Sequence, residues 1–579
     1  MCGIYGITEH NPTIINDYID TCSHRGPDGK KVWWDPENKL TLGHNLLSIM
    51  SDPKLSVQPW KTPAGNWLIY NGEIFNYYEL KDKYKGKGFA GITGCDTELL
   101  AWGLDTFGLD FLDEIDSMHS FAYYRVKHDE LWISRDHAGI KPLYYAEVKQ
   151  GLIFGSEIKG LLKHVEKSNV IDPLAFSSMA HVGLNPTANT FFTNIKKLLS
   201  GETIIYDLKN KRIKNKKRNL IIPQSNHSFD PEEFRHMTRD SVKLCSIGRR
   251  KIGIFLSGGL DSGMIAYEYK QLHGTANTYT NNMDPNIIWR EDDHNDDHNK
   301  ALQLATQYGF NHKVVTMTPK ILTDMWDDSI YFMEQPVYNP SMVMYYYTNK
   351  MLSADGIVVT LAGDMGDEVL GGYPKYWKLR NKNVSSWTGL IDAWMNRIKR
   401  PIQVTNTPLS KQDLQSHFEK TFPQELHDPK DPVNSYMALD CVTQVPEEFF
   451  IRNDTYGMAF SMEGRFPLAT KKFMKYALSI ASKEKIGIHK HQTKLLSKKA
   501  YKDIFPNEIV NKHKTGWTAP VKGWIQDQEV AKSFYQNKME QNDCLKNIVV
   551  RQNETTKSAI PAWILRDWAN KFAMQYKIK

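Results

Sequence analysis

Four short segments near the start of the chain combine the residue types needed to attack a carboxamide. The chain opens Met1-Cys2-Gly3-Ile4-Tyr5-Gly6, so loss of Met1 would leave a thiol beside a free α-amine. A thiolate is a strong nucleophile, and an α-amine with a pKa near neutrality can act as its base. His24-Arg25-Gly26-Pro27-Asp28 is a compact polar turn, Asn71-Gly72-Glu73-Ile74-Phe75-Asn76 follows an apolar strand, and Gly94-Cys95-Asp96-Thr97-Glu98 precedes a helix. The developing oxyanion needs donors, which the Asn71 side chain and the Gly72 amide supply. A substrate ammonium needs a carboxylate, which Asp96 supplies. Singly, a second-position cysteine is incidental and each other segment is an ordinary turn or helix cap. Their joint occurrence in this order carries the inference.

A second group lies in the middle of the chain. Ser257-Gly258-Gly259-Leu260-Asp261-Ser262 follows Leu256 at the end of an apolar strand pattern, and a helical pattern comes next. Glycines permit close backbone approach, and the helix N-terminus with the loop amides can cradle a phosphate. The spacing is not the Walker GxxxxGK[ST] pattern. Ala362-Gly363-Asp364-Met365-Gly366-Asp367-Glu368 follows the apolar stretch 357–361, with Gly371-Gly372-Tyr373 just beyond. Three carboxylates so close together at a strand end are costly unless they meet a cation.

These groups need two different scaffolds. At 579 residues the chain has room for two or more domains. Up to about residue 160, short apolar runs at 40–47, 67–70, 121–126, 131–134 and 152–155 alternate with turns, and helical spacing is clear at 96–107; antiparallel sheets are expected. Residues 163–228 carry mixed signals and read as a connecting region. Its basic run 209–218 reads as a solvated turn. From about 230 strands alternate with helices (251–256, 261–272, 276–283, 296–308, 313–317, 321–332, 342–352, 357–361), which implies a parallel sheet covered on both faces. Beyond 375 the pattern is mostly helical. The expected units are 1–162, 163–228 and 229–579.

The net charge of +7 is mild for this length and is not the footprint of a nucleic-acid binder. The six cysteines show no CxxC pair, so neither a zinc site nor a disulfide framework is expected. There is no apolar stretch of about 18 residues and no basic-then-apolar leader pattern, so the expectation is a cytoplasmic protein without a membrane span. The acidic run 291–298 matches no familiar metal spacing and reads as a solvated helix start.

The N-terminal segments resemble the glutaminase domain of class II glutamine amidotransferases. Arg135-Asp136-His137-Ala138-Gly139-Ile140-Lys141-Pro142-Leu143-Tyr144-Tyr145 and Ser156-Glu157-Ile158-Lys159 resemble that domain in bacterial-type asparagine synthetases. The resemblance implies an α+β N-terminal-nucleophile αββα sandwich followed by an α/β doubly wound parallel sheet of the PP-loop ATP pyrophosphatase type. It implies Cys2 as nucleophile, Asn71 and Gly72 as oxyanion hole, and Leu47, Ser48, Ile49, Glu73 and Asp96 around glutamine. In the second unit it implies ATP at Leu256, Ser257, Gly258, Gly259, Asp261, Ser262, Ala362 and Gly363, and Mg²⁺ on Asp261 and Asp367. Asp364 stands where an acid needed for adenylate formation is more usually Glu, Ala362 replaces a frequent Ser, and Met365 a frequent Gly. Asp454, Met458, Glu463-Gly464-Arg465-Phe466-Pro467-Leu468 and Lys494 fall at later motifs, as does Lys514-Thr515-Gly516-Trp517. Lys494 matches a lysine that neutralises charge on diphosphate or the transition state. The ending Phe466-Pro467-Leu468-Ala469-Thr470 departs from the family's PFLD.

The implied reaction takes glutamine, aspartate and ATP to asparagine, glutamate, AMP and diphosphate, with ammonia carried through an internal passage; a homodimer fits the family. Three alternatives remain: an amidotransferase of the same scaffold acting on a sugar acid or secondary-metabolite carboxylate, a β-lactam-synthetase-like ring closure, and a non-catalytic regulatory protein. Intact Cys2 argues against the second, and Cys2, Asn71, Asp261 and Asp367 together argue against the third. One residue breaks the pattern. In Gly43-His44-Asn45-Leu46-Leu47-Ser48-Ile49 the family has an Arg at the place of Leu46, where it clamps the α-carboxylate of glutamine. Lys54 and Lys61 are the nearby cations that could replace it.

Overall fold

Twelve strands of the first unit alternate with turns as the apolar runs require. β1 (Gly3–Ile7), β2 (Gly29–Trp34), β3 (Thr41–Leu46), β4 (Trp60–Lys61), β5 (Trp67–Ile74), β6 (Ser117–Arg125), β7 (Glu130–Arg135), β8 (Tyr144–Val148), β9 (Gly151–Gly155), β10 (Lys196–Lys197), β11 (Glu202–Asp207) and β12 (Arg212–Arg218) form two six-stranded sheets. Their orders are β10-β8-β9-β1-β3-β2 and β12-β11-β7-β6-β5-β4, antiparallel throughout. The computed structural model describes residues 2–574 other than 38, 150, 285–294, 338, 340, 383, 398–406, 491 and 513–555; of 556–563 only the backbone is described. The motif at 514–517 and the first four residues of the acidic run lie outside the described residues.

β6 shows why the layers stack as they do. It is buried from Ser117 to Tyr124 with no polar face. Successive side chains point to opposite faces: Ala122 and Tyr124 enter the core between the two sheets with Leu42 and Phe154, while Phe121 and Tyr123 meet Leu99 and Trp102 of the helix Asp96–Phe107. On the far side, Ile15, Tyr18 and Ile19 of the helix Pro12–Thr21 cover Tyr5 and Ile7 of β1. The result is a four-layer αββα sandwich of the N-terminal-nucleophile type.

The second unit holds β13 (Ile252–Phe255), β14 (Asn277–Met283), β15 (Asn311–Met317), β16 (Val359–Leu361) and β17 (Glu463–Arg465), all parallel, in the order β15-β14-β13-β16-β17. The chain builds outward from β13 in one direction to β15 and in the other to β17. The order therefore reverses between β13 and β16, and ligands of such sheets bind beyond the strand ends at that point. The loops 257–262 and 362–368 leave these two strands. β17, three residues long, has no sequence signal of its own among the helices that follow 375.

Two local readings change. The basic run 209–218 is not a turn: Arg212–Arg218 is a strand hairpinned to β11, and only the residues between them turn. It is an edge strand with one partner, so its residues are mostly exposed and their polarity mimics a loop. Within 163–228, β10 extends the first sheet and β11 and β12 extend the second.

Buried arginines join the units. Arg25 donates to Glu157 Oε1 (3.0 Å), Asp454 Oδ2 (2.9 Å) and Cys2 O (3.2 Å). Arg465, fully buried, donates through NH2 to Glu73 Oε2 (2.9 Å), through Nε to Glu463 Oε1 (2.6 Å) and through NH1 to Cys245 O (3.0 Å). Burial opposes the charge on Arg465, but Glu463 and Glu73 hold its pKa above the ordinary guanidinium value. Removing one member of such a network leaves the others charged and desolvated, at a cost of about 3–5 kcal/mol. Arg465→Met should therefore lower the denaturant midpoint by an amount of that order, and adding Glu73→Gln should recover part of it. Additive losses in the double variant would refute the coupling.

Candidate active sites

The thiol site is assembled from strand ends and one helix start. Cys2 precedes β1, β5 carries Tyr70 to Ile74, and the helix Asp96–Phe107 points its N-terminus, with Asp96 and Glu98 in the first turn, toward them. A carboxylate there is favoured by the helix dipole. Cys2 N donates to Asn71 Oδ1 (3.0 Å), and the thiol lies 4.0 Å from Leu47 O. Burial pushes the Cys2 thiol up to about 11, against the pull of the chain's N-terminal charge. At neutral pH it is protonated and needs a base.

Cys2, Leu47, Ser48, Ile49, Gly72, Glu73 and Asp96 line one narrow slot of about 30 Å³. Asn71 does not line it. It is fully buried behind, one amide atom on Cys2 N and the other, Nδ2, 3.4 Å from Ser120 Oγ. At Gly72 a Cβ would meet Met118 O at 2.2 Å, so β6 itself requires glycine there. Sequence reasoning missed Tyr70, Gln58 and Thr97, which also line the slot. The signal for Tyr70 was the strand period, since Tyr70 and Gly72 share a face of β5. Gln58 and Thr97 bond each other at 3.2 Å, a contact no local pattern encodes.

The two carboxylates of the slot are held against their preference. Burial raises the pKa of Glu73, Asp96 adds to it, and Arg465 works in the other direction. Burial likewise raises Asp96, while donation from Ile74 N and Tyr70 OH (3.0 Å each) works the other way. Glu73 Oε1 is buried without a hydrogen-bond partner among the described residues. Two desolvated carboxylates facing one slot form a receptor for a cationic group. Leu46 lines the same slot, and no Lys or Arg does among the described residues; Lys54 and Lys61 are exposed and lie outside it.

The second site is a cleft of about 510 Å³ at the switch point of the parallel sheet. Leu256, Ser257, Gly259, Asp261, Ser262, Ala362, Gly363, Asp364, Asp367 and Lys494 line it. Gly258 does not. Its φ of +66° and its packing, with a Cβ position 2.3 Å from Asp297 O, give it a turning role against the helix Asp296–Tyr308. The loop is braced from within: Ser262 Oγ accepts from Ser257 N (3.1 Å) and donates to Gly259 O (3.1 Å).

Lys494 bridges Asp261 and Asp367, the second at 2.6 Å. Gly366 and Gly372 make room for this triad, since a Cβ at either would strike the Asp261 or Asp367 carboxyl. Glu368 behind it is pushed up to about 8 by burial and by Asp367. Met365 adopts φ +77°, a left-handed conformation that costs a non-glycine residue about 1 kcal/mol or more. Asp364 Oδ2 accepts from Asn453 Nδ2 (3.3 Å). Also in the cleft, and not foreseen, are Tyr279, Thr280 and Asn281 in the middle of β14, and Tyr345, Thr348, Arg452 and Lys512. Asp297 of the acidic run reaches the cleft and pairs with Lys512. Among the described residues no cluster of three or more His, Cys, Asp or Glu side chains forms a metal cage, and no helix is long and apolar enough to cross a membrane.

A sequence model described as a glutamine amidotransferase domain matches residues 1–217, and one described as asparagine synthase matches 233–563. Two similar proteins are Bacillus subtilis asparagine synthetases (glutamine-hydrolysing). Number 3 is 25% identical over 551 residues, covering 89% of this chain and 86% of its own; number 1 is 25% identical over 618, covering 98% and 92%. A putative asparagine synthetase 2 of Methanocaldococcus jannaschii is 27% identical over 401 residues, covering 64% of this chain and 76% of its own. With the thiol slot in one matched region, the phosphate-loop cleft in the other, and the second match spanning more than half the sequence, the chain belongs to the asparagine synthase family.

Proposed function

We propose that the protein hydrolyses glutamine at Cys2 and uses the ammonia to amidate an ATP-activated carboxylate, with L-aspartate as acceptor and L-asparagine, L-glutamate, AMP and diphosphate as products. One observation carries this reading: a buried thiol slot and a phosphate-loop cleft in one chain are joined by Arg465, which holds Glu73 of the slot and ends β17, where its carbonyl accepts from Ala362 N of the 362–368 loop.

With Met1 removed, the nitrogen now 3.0 Å from Asn71 Oδ1 becomes the α-amine, which takes the thiol proton as Sγ attacks the carboxamide carbon. The Gly72 amide, which lines the slot, donates to the oxyanion. The proton returns to nitrogen, ammonia leaves, and water hydrolyses the thioester to glutamate. Glu73 and Asp96 receive the substrate ammonium, which explains why two raised carboxylates are kept side by side.

In the cleft, the acceptor carboxylate attacks the α-phosphorus, diphosphate leaves, and ammonia displaces AMP from the acyl adenylate. Asp261 and Asp367 supply hard oxygen donors converging on one point, a set that suits Mg²⁺ completed by phosphate oxygens and water. When bound there it would neutralise phosphate charge. The Ser257–Ser262 loop holds phosphate oxygens, and Lys494 supplies positive charge to the leaving diphosphate. Incubating the protein with Mg-ATP, glutamine and a panel of carboxylates, then identifying the amide, decides the acceptor.

Cys2→Ala should abolish glutamine hydrolysis and leave ammonia-dependent amidation intact; surviving glutaminase activity would show the nucleophile to be another group. Asp367→Asn should eliminate product with either nitrogen donor while glutamine hydrolysis persists, and the nucleotide released by the wild type should be AMP. ADP with orthophosphate would rule out adenylation. Because no cation lines the slot at Leu46, the glutamine KM should lie above that of Arg-bearing relatives. A lost Arg–carboxylate contact is worth about 2–5 kcal/mol, roughly 30-fold to several-thousand-fold in affinity. Leu46→Arg should lower the KM. A wild-type KM as low as the relatives' would contradict this.

A further inference from the structure

Arg452 is a buried cation in the second cleft with no carboxylate in ion-pair reach among the described residues. The helix Ile451–Met458 continues from a π-helical turn, Val445–Phe450. Such turns are rare and cluster at functional sites because the widened turn re-aims its side chains. Here Glu448, Phe449, Arg452 and Asn453 all reach the cleft. The Arg452 guanidinium lies 3.9 Å from the Tyr345 ring centre and 5.4 Å from that of Phe449. Stacking fixes the plane of the fork but leaves its N–H donors unspent.

Arg452 is only 2% exposed, and its Nε is buried with no acceptor among the described residues. Arg25 and Arg465, equally buried, each rest on two carboxylates. A desolvated guanidinium without a counter-ion is costly to keep. That cost is recovered when an anion enters the cleft. The phosphate loop and Lys494 belong to other elements, whereas the neighbour of Arg452, Asn453, bonds Asp364 in the loop that follows β16. Glu448 adds a negative group to the same wall.

We propose that Arg452 clamps the non-reacting carboxylate of the acceptor, so that the cleft selects an α-amino dicarboxylate, with Glu448 facing its ammonium. This deepens the amidation reading and rests on it. A planar fork on a carboxylate supplies both charge and orientation.

The test uses the full-length protein with Mg-ATP and ammonia, and compares L-aspartate with 3-aminopropanoate, which is aspartate without its α-carboxylate. Wild type should prefer L-aspartate by roughly 30-fold or more in kcat/KM, the scale of a lost buried charge pair. Arg452→Met should bring L-aspartate down to the level of 3-aminopropanoate and leave 3-aminopropanoate and the KM for ATP unchanged within about twofold; Arg452→Lys should restore part of the preference. Glutamine hydrolysis at Cys2 reports that the variants are folded. Equal losses on both acceptors, a parallel rise in the KM for ATP, or an unchanged preference would overturn the proposal. Wild-type protein that amidates neither acid, nor any other carboxylate, would instead overturn the amidation reading beneath it.

Discussion

Arg465 satisfies demands from both halves of the molecule at once. Its guanidinium is fully desolvated, so every donor must find an oxygen, and the oxygens come from Glu73 of the thiol slot, Glu463 on its own strand, and the carbonyls of Cys245 and Ile247. Its own carbonyl accepts from Ala362 N (3.1 Å), the first residue of the loop that ends in Asp367 and Glu368. A shift of Glu73 would therefore reach the loop 362–368 through two hydrogen bonds and one side chain. Packed interiors transmit such shifts because they do not deform continuously. The seam is rigid on either side: Asp116 accepts from Lys471 N and Lys472 N at 2.8 Å each, and Arg250 donates to Ser48 O (2.8 Å) and Asp28 (2.7 Å).

Both sites use the same electrostatic device. Carboxylates are buried close together, and a cation is required to make the arrangement stable. In the slot the pair is Glu73 and Asp96, with Arg465 compensating from behind. In the cleft it is Asp261, Asp367 and Glu368, with Lys494 between the first two. Like charges are thus held together in both sites, while Arg452 in the cleft has no carboxylate in ion-pair reach among the described residues.

Much of this was legible in the sequence because the chemistry sits on short contiguous runs. Cys2, residues 71–73 and Asp96 are each ordinary alone but legible together in their order, and the strand-then-glycine pattern at 251–262 places the phosphate loop. The helix Asp96–Phe107 falls where its spacing put it. What failed to show was non-local. β17 is too short to have a period, and it exists because β16 offers an open edge. β12 looked like a turn because an edge strand exposed to water has the composition of a loop. Asn71 was assigned to the oxyanion hole, but its withdrawal behind Cys2 depends on the packing of β5 on β6. Arg452 carries no signal in the sequence, since only the fold shows that its buried guanidinium has no carboxylate beside it among the described residues.

The basic edge strand β12 also constrains assembly. Its sequence, RIKNKKR, carries five cations in seven residues, and most of its length is exposed. An open edge is a template for another strand. Two copies meeting edge to edge about a two-fold axis would bring ten cations together within about one Debye length, roughly 8–10 Å at physiological salt. Lys214 and Lys216 are partly neutralised by Glu130 and Glu202, but Arg212 and Lys217 face outward with no ion pair among the described residues. This edge therefore repels its own image, and any symmetric pairing of the protein has to be built on a different face.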